Sequence, residues 1–183
     1  MGTGNALFFL VNVLFDLYMG ALLLRVLLQW VKADFYNPLS QLVWKLTNPP
    51  VQPLRSFVPR YKNIDTATLL VLLLVAIAYI ALVSWMLSPG ISPLSLVWFA
   101  ALKCVALAIN LYTLSLFTQA ILSWLGPGVN NPAANVLWSL NEPLLRPIRR
   151  FIPSVAGMDF SPLVVMLALQ VLSRLVPLPF IFR

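Results

Sequence analysis

The sequence predicts an all-α membrane protein: four transmembrane helices as two parallel tandem repeats, each with a short amphipathic interfacial helix and a proline-rich linker. Three observations lead there. The 183 residues are 61% hydrophobic and only 9% charged, well under the roughly one-quarter charged residues of an ordinary soluble domain. Four apolar segments approach or exceed the ~20 residues a spanning helix needs. The third is an internal repeat at an offset of 94 residues, running without a gap. Tyr18, Trp30, Asn37, Pro38, Trp44, Pro49, Pro53, Arg55, Phe57, Pro59 and Asp65 recur as Tyr112, Trp124, Asn131, Pro132, Trp138, Pro143, Pro147, Arg149, Phe151, Pro153 and Asp159. Apolar composition alone does not place prolines, tryptophans, an arginine and an aspartate in register, so the pattern marks a duplicated unit. The two halves are expected at 1–93 and 94–183.

The spans are expected at about 6–31, 66–87, 94–124 and 162–180. The third is long enough to reach roughly 46 Å at 1.5 Å per residue, so tilt or emergence from the bilayer is expected. Arg174, Pro177 and Pro179 interrupt the fourth, whose apolar part is expected to end near Ser173. The first segment has no basic leader, and its counterpart lies inside the chain, so it is expected to belong to the fold and not to a cleaved signal.

Basic residues set the orientation. Eight of the twelve Lys and Arg fall in the two linkers, as Lys32, Lys45, Arg55, Arg60 and Lys62 and then Arg146, Arg149 and Arg150. None lies between Ser88 and Pro93. Both linkers are therefore expected in the cytoplasm, with both termini outside. Two spans per half give the halves the same polarity, related by an axis along the membrane normal.

Each linker opens with Asn-Pro. Asn37 and Asn131 suit the cap of a helix, and Pro38 and Pro132 suit its first position. Leu39, Leu42, Val43 and Leu46 then form one apolar stripe, as do Ala133, Val136, Leu137 and Leu140. Interfacial helices are expected at about 38–47 and 132–141, with Trp44 and Trp138 off the stripe, either at headgroup level or in a packing contact. Beyond them, the prolines are expected to stop the helix and hold the chain extended or in short turns. Asp65 and Asp159 serve either as helix caps or as partners of Arg55 and Arg149. Arg146, Arg149 and Arg150 form the densest basic cluster, suited to anionic headgroups or an acidic partner as well as to setting topology.

Within the spans, Asp16 corresponds to Asn110 and Arg25 to Gln119. Ionisable groups in a membrane are costly and point to function. Lys103 can reach Asp16 if the first and third spans touch. Arg25, just over a turn from Trp30, is expected to snorkel to the interface. No histidine is present, and the single Cys104 lies in an apolar run, so disulfide frameworks and Cys/His metal sites are excluded. No cofactor, metal, catalytic residue or nucleic-acid partner is expected. The basic balance suits a membrane surface, with a protein partner or homo-oligomer open.

The constellation Arg-x4-Trp-x6-Asn-Pro in the first half and Pro-x3-Pro-x-Arg-x-Phe-x-Pro-x5-Asp in both resembles the YggT family of small bacterial membrane proteins, related to the YlmG proteins. Asp34-Phe35-Tyr36-Asn37-Pro38, the run from Pro143 to Arg150, and Asp159-Phe160-Ser161-Pro162 carry the resemblance. It implies an integral membrane protein with a part in osmotic or salt tolerance and, in some lineages, in division or membrane assembly. Gln119, Gln52 and Ser56 depart from Arg25, Arg146 and Arg150 of the other copy, so those charges do not act in both halves.

Three function classes follow. The expected one is a non-enzymatic inner-membrane protein whose linkers dock lipid or protein. The alternative is an ion or solute channel or transporter, with Asp16, Lys103, Asn110 and Gln119 around one polar site; a scaffold for division or assembly is the second. An enzyme is not expected, because neither a polar thiol nor a phosphate-cradling glycine loop is present.

Overall fold

The computed structural model describes residues 3–59, 64–87, 90–124, 131–152 and 159–182. Among them the chain is all helical: α1 (Thr3–Trp30), α2 (Pro38–Leu54), α3 (Thr66–Leu87), α4 (Pro93–Trp124), α5 (Pro132–Arg149), α6 (Ser161–Leu175) and a closing 3-10 turn at Phe180–Phe182. Arg60, Lys62 and Pro153 of the linker pattern lie outside the described residues.

Three helices, α1, α3 and α4, are long and apolar enough to cross a membrane. They carry the apolar side chains all round that a bilayer-embedded helix requires, since lipid replaces water on their outer faces. α3 packs against both α1 and α4, and α4 also packs against α6. The principal core lies where these helices meet and includes Met19, Leu22, Ala76, Tyr79, Ile80 and Val83. The C-terminal Phe182 closes this core, its ring 5.6 Å from that of Phe99. A smaller core of Leu116, Leu145 and Val165 sits between α4, α5 and α6.

Two expectations about the backbone are corrected. The fourth apolar helix, α6, has 15 residues, about 22 Å at 1.5 Å per residue and short of the ~30 Å hydrocarbon core. It stops at Leu175 because Pro177 and Pro179 cannot continue it. The linker helices, in contrast, are longer than expected. α2 runs through Pro49, Pro50 and Pro53 to Leu54, and α5 through Pro143 and Pro147 to Arg149.

The spacing explains why Pro49, Pro53, Pro143 and Pro147 do not break their helices. Pro49 and Pro53, like Pro143 and Pro147, stand four apart, and all four are exposed. Their missing N–H groups therefore strip partners from carbonyls on a single outward face. Those carbonyls can turn to water or headgroups, and a helix bends to accommodate the rings. The inward faces keep Val43, Thr47 and Val51 in α2, and Val136, Leu140 and Leu145 in α5, buried against the bundle.

Both helices start as their sequences dictate. Asn37 Oδ1 accepts from Leu39 N at 2.9 Å, and Asn131 Oδ1 from Ala133 N at 3.0 Å. Asn37 also joins the two elements, its Nδ2 donating to the Pro132 carbonyl at 2.6 Å. α2 and α5 therefore meet at one end of the bundle, the end where α1 finishes.

Candidate functional site

The last two turns of α1 supply the centre of the site. Arg25 is 3% exposed, so the expectation that it snorkels to the interface is corrected. A buried guanidinium needs charge-assisted hydrogen bonds to offset lost hydration, and α2 provides them. Arg25 Nη1 donates to Thr47 Oγ1 at 3.0 Å, and Nη2 lies 3.4 Å from Asn48 Oδ1. Nη2 is also 3.6 Å from Asp65 Oδ2, just ahead of α3. Arg55, one residue past α2, binds the same carboxylate oxygen through Nη2, and through Nε at 3.2 Å. One buried aspartate thus ties together α1, the end of α2 and the start of α3. Burial pushes the Asp65 carboxyl up, but the Arg55 hydrogen bonds and the charges of Arg55 and Arg25 outweigh it and hold the group below the ordinary value.

Beside this cluster is a cavity of about 380 Å³ lined by Arg25, Gln29, Lys32, Ser40, Trp44 and Asp65, among others. α1 ends there in a tight helix-stop. Lys32 N donates to the Gln29 carbonyl at 3.1 Å and Ala33 N to the Leu28 carbonyl at 2.9 Å. That pairing turns Lys32 into the left-handed region, φ 54°, where glycine is usual. Ser40, in the first turn of α2, is 8% exposed. Its hydroxyl, like Gln29 Oε1, is buried without a hydrogen-bond partner among the described residues. Phe35 and Trp44, 6.1 Å apart edge to face, form an aromatic rim.

Residues 94 positions later line a second cavity, of about 400 Å³, with different chemistry. Gln119, Ser123, Trp138 and Asp159 replace Arg25, Gln29, Trp44 and Asp65, and Phe117, Ile121, Phe160, Leu163 and Met166 make it largely apolar. Gln119 Oε1 accepts from Asn141 Nδ2 at 2.7 Å, and Asn141 Oδ1 accepts from Ser115 Oγ at 2.6 Å. A neutral amide chain therefore stands where the first half has a charge cluster. Asp159 pairs with Arg149 at 2.8 Å, and Arg149 also reaches Glu142 at 2.9 Å. Asp159 Oδ1 additionally accepts from Ser161 N at the start of α6, at 2.9 Å. Burial raises its pKa, and the Ser161 and Arg149 hydrogen bonds outweigh that and lower it.

A third polar cluster lies in the interior of the spans. Lys103 Nζ is 2.8 Å from Asp16 Oδ1, the lysine side chain 4% exposed and the aspartate 38%. The ammonium also sits 4.8 Å from the Tyr79 ring centroid, and Tyr79 Oη donates to Asn12 Oδ1 at 2.9 Å. Asp16, Lys103, Asn110 and Ser173 share a cavity of about 170 Å³.

The CCB3/YggT family model matches residues 4–86 and again 98–180. The chain belongs to the CCB3/YggT family. It is 41% identical over 172 residues to the uncharacterized protein YggT of Escherichia coli, covering 92% of this chain and 88% of that one. An uncharacterized protein of Pseudomonas aeruginosa is 34% identical over 178 residues, 96% of this chain and 90% of the relative. One from Vibrio alginolyticus, named for the proC 3' region, is 38% identical over 168 residues, 91% and 90% of the two chains. No solved structure matches.

In this CCB3/YggT chain the structure sorts the sequence-predicted residues into three places. Arg25, Trp44, Arg55 and Asp65 gather at the linker end of the first half, and Gln119, Trp138, Arg149 and Asp159 at that of the second. Asp16, Lys103 and Asn110 share the interior cavity, from which Gln119 is absent. Arg146 and Arg150 are exposed on and just beyond α5, and Asn131 caps that helix. Sequence reasoning missed Gln29, Ser40, Thr47 and Asn141. Thr47 and Asn141 carried a signal, since they sit 22 residues after Arg25 and Gln119 in the two copies.

Proposed function

We propose that this chain is a non-enzymatic protein of the bacterial cytoplasmic membrane that holds lipid at its linker face. In this reading four segments cross the membrane as two parallel tandem halves, α6 being carried on by the apolar tail that ends in Phe182 against Phe99, with both linkers in the cytoplasm and both termini outside. The match of one family model at 4–86 and 98–180 supports the tandem arrangement. So do the paired starts at Pro38 and Pro132 and the paired ends at Trp30 and Trp124. The concentration of basic residues in the linkers supports the orientation.

The observation that carries lipid docking is the 380 Å³ cavity at the linker end, with a charged, hydrogen-bonding floor and an aromatic rim. If α1 and α3 cross the bilayer, this cavity lies at headgroup depth. The surface around it suits the same role. α2 exposes Leu42, Trp44 and Leu46, and α5 exposes Trp138 and, in its last turn, Arg146, with Arg150 exposed just beyond its end. An apolar face with aromatic and basic flanks settles in the interface and attracts anionic lipid. A part in osmotic or salt tolerance, which the family resemblance implies, is compatible with this reading, because ionic strength screens headgroup charge beyond about a Debye length. Counting phospholipid phosphorus per chain after exchange into a mild detergent tests the proposal. At least one lipid per chain is expected, and none above the detergent blank overturns it.

A second reading rests on the interior cavity of Asp16, Lys103, Asn110 and Ser173. A membrane-embedded ion pair opening on a polar cavity suits passage of an ion or small solute. Flux in sealed proteoliposomes that disappears with Asp16→Asn would favour it; no flux above empty vesicles would remove it.

A further inference from the structure

We infer that the first-half pocket selects a phosphate headgroup whose remaining part is a neutral polyol, the chemistry of phosphatidylglycerol. This rests on the lipid-docking reading and names its ligand.

Charge gives the first argument. Arg25 and Lys32 line the cavity, and its one lining acid, Asp65, is shared between Arg25 and Arg55, three basic groups to one carboxylate. Among the described residues, the pocket keeps an excess of two positive charges. An anion is attracted there, while a headgroup carrying its own ammonium adds a like charge to the cations. A phosphate with a neutral remainder suits the balance better than phosphoethanolamine or phosphocholine.

Hydrogen bonding gives the second. Ser40 stands in the first turn of the 17-residue helix α2, where the positive end of the helix dipole favours an anion. Its buried hydroxyl has no partner among the described residues, a deficit that a phosphate oxygen relieves. Gln29 Oε1, equally buried and without a partner among those residues, is an acceptor for a hydroxyl donor. A glycerol headgroup supplies both a phosphate and hydroxyls.

Lys32 gives the third. At the helix-stop its φ of 54° disfavours any side chain, and 94 residues on the sequence has Gly126, the residue that such a stop prefers. The first copy carries a lysine where the backbone favours glycine, and that lysine lines the pocket. A strained position occupied by a charged residue points to use of the charge.

The experiment uses the full chain in detergent micelles and native mass spectrometry. Phosphatidylglycerol, phosphatidylethanolamine and phosphatidylcholine with identical acyl chains are supplied in equal amounts. Phosphatidylglycerol adducts are expected to dominate. Lys32→Gly should lower that preference about fivefold, the effect of one basic residue at a lipid surface, while leaving thermal stability equal or higher because the backbone strain is removed. Ser40→Ala should also weaken it, and Arg174→Gln, which removes an exposed charge on α6, should not. Adducts mainly of phosphatidylethanolamine would overturn the headgroup assignment while leaving lipid docking in place. No lipid adduct at all would remove both. An unchanged preference in Lys32→Gly would overturn the pocket as the site. Glycerol phosphate in millimolar excess stabilising the protein as much as the lipid does would make the ligand a soluble anion and overturn the lipid assignment.

Discussion

Arg25 and Thr47 meet across α1 and α2 at 3.0 Å, and their equivalents, Gln119 and Asn141, meet across α4 and α5 at 2.7 Å. The two halves solve one packing problem twice, with a charge in the first and an amide pair in the second. In each, the short helix is latched to the preceding long one through buried polar contacts, Arg25 reaching Thr47 and Asn48 and Asn141 reaching Gln119 and Ser115.

This equivalence yields a swap experiment. Arg25→Gln removes the donor to Thr47 and one of the two cations at Asp65, and should destabilise the protein by about 2 kcal/mol, less than an outright broken buried pair because Arg55 remains. Adding Thr47→Asn recreates the amide pair of the second half and should recover at least half of that loss. Thermal unfolding in detergent of the two single variants and the double variant measures the coupling. Strictly additive losses would mean that the latches are not interchangeable.

The two linker aspartates should differ sharply. Asp65 is buried with two arginines on one oxygen, so Asp65→Asn leaves both cations facing each other and should cost about 3–5 kcal/mol. The Asp159 pair with Arg149 is about one-third exposed, and Glu142 remains for the arginine. Asn also keeps the acceptor for Ser161 N, so Asp159→Asn should stay within about 1 kcal/mol of wild type. Unfolding midpoints of the two variants decide this, and equal losses would contradict it.

Acid should act through Asp65. Its folded-state pKa is lowered, so the unfolded chain binds protons first and stability rises with pH across that range. The contribution is complete above the unfolded value, about 3.9, and is lost as pH falls through the lower folded one. The gap in melting temperature between wild type and Asp65→Asn should therefore be constant above about pH 5 and shrink below about pH 4. A gap that is unchanged down to pH 2 would show that protonation of Asp65 is not what acid does here.

Much of this was legible in the chain because each copy annotates the other. The caps at Asn37 and Asn131, the Arg55 and Arg149 partners ten residues ahead of an aspartate, and the reach of Lys103 toward Asp16 all follow from spacing and residue type. Three features did not. Helix through Pro49 and Pro53 was hidden because proline propensity is a penalty averaged over buried and exposed faces, and here both rings face outward. Arg25 read as a snorkelling residue because its depth, and not its neighbours, was all the sequence displayed. The pocket around Ser40 and Lys32 is assembled from a helix end and a helix start whose approach depends on tertiary packing.

The interior ion pair offers the last test. Lys103 is nearly sealed off, its ammonium against Asp16 and the Tyr79 ring, while Asp16 is far more exposed. The two single substitutions should therefore be unequal. Asp16→Asn leaves a buried ammonium with only a ring and an amide for company, and should cost about 3–5 kcal/mol. Lys103→Met leaves a carboxylate that borders the 170 Å³ polar cavity, where it can be hydrated, and should cost less. The double variant Asp16→Asn, Lys103→Met removes both charges and fills the lysine's space with an apolar chain of similar length. Replacing a buried pair in this way is often neutral or better, so the double variant should be more stable than Asp16→Asn alone. Unfolding of the three variants in detergent measures the coupling. A double variant no more stable than Asp16→Asn would mean that the lysine is held by the tyrosine and the packing around it, and that the aspartate is not its counter-ion.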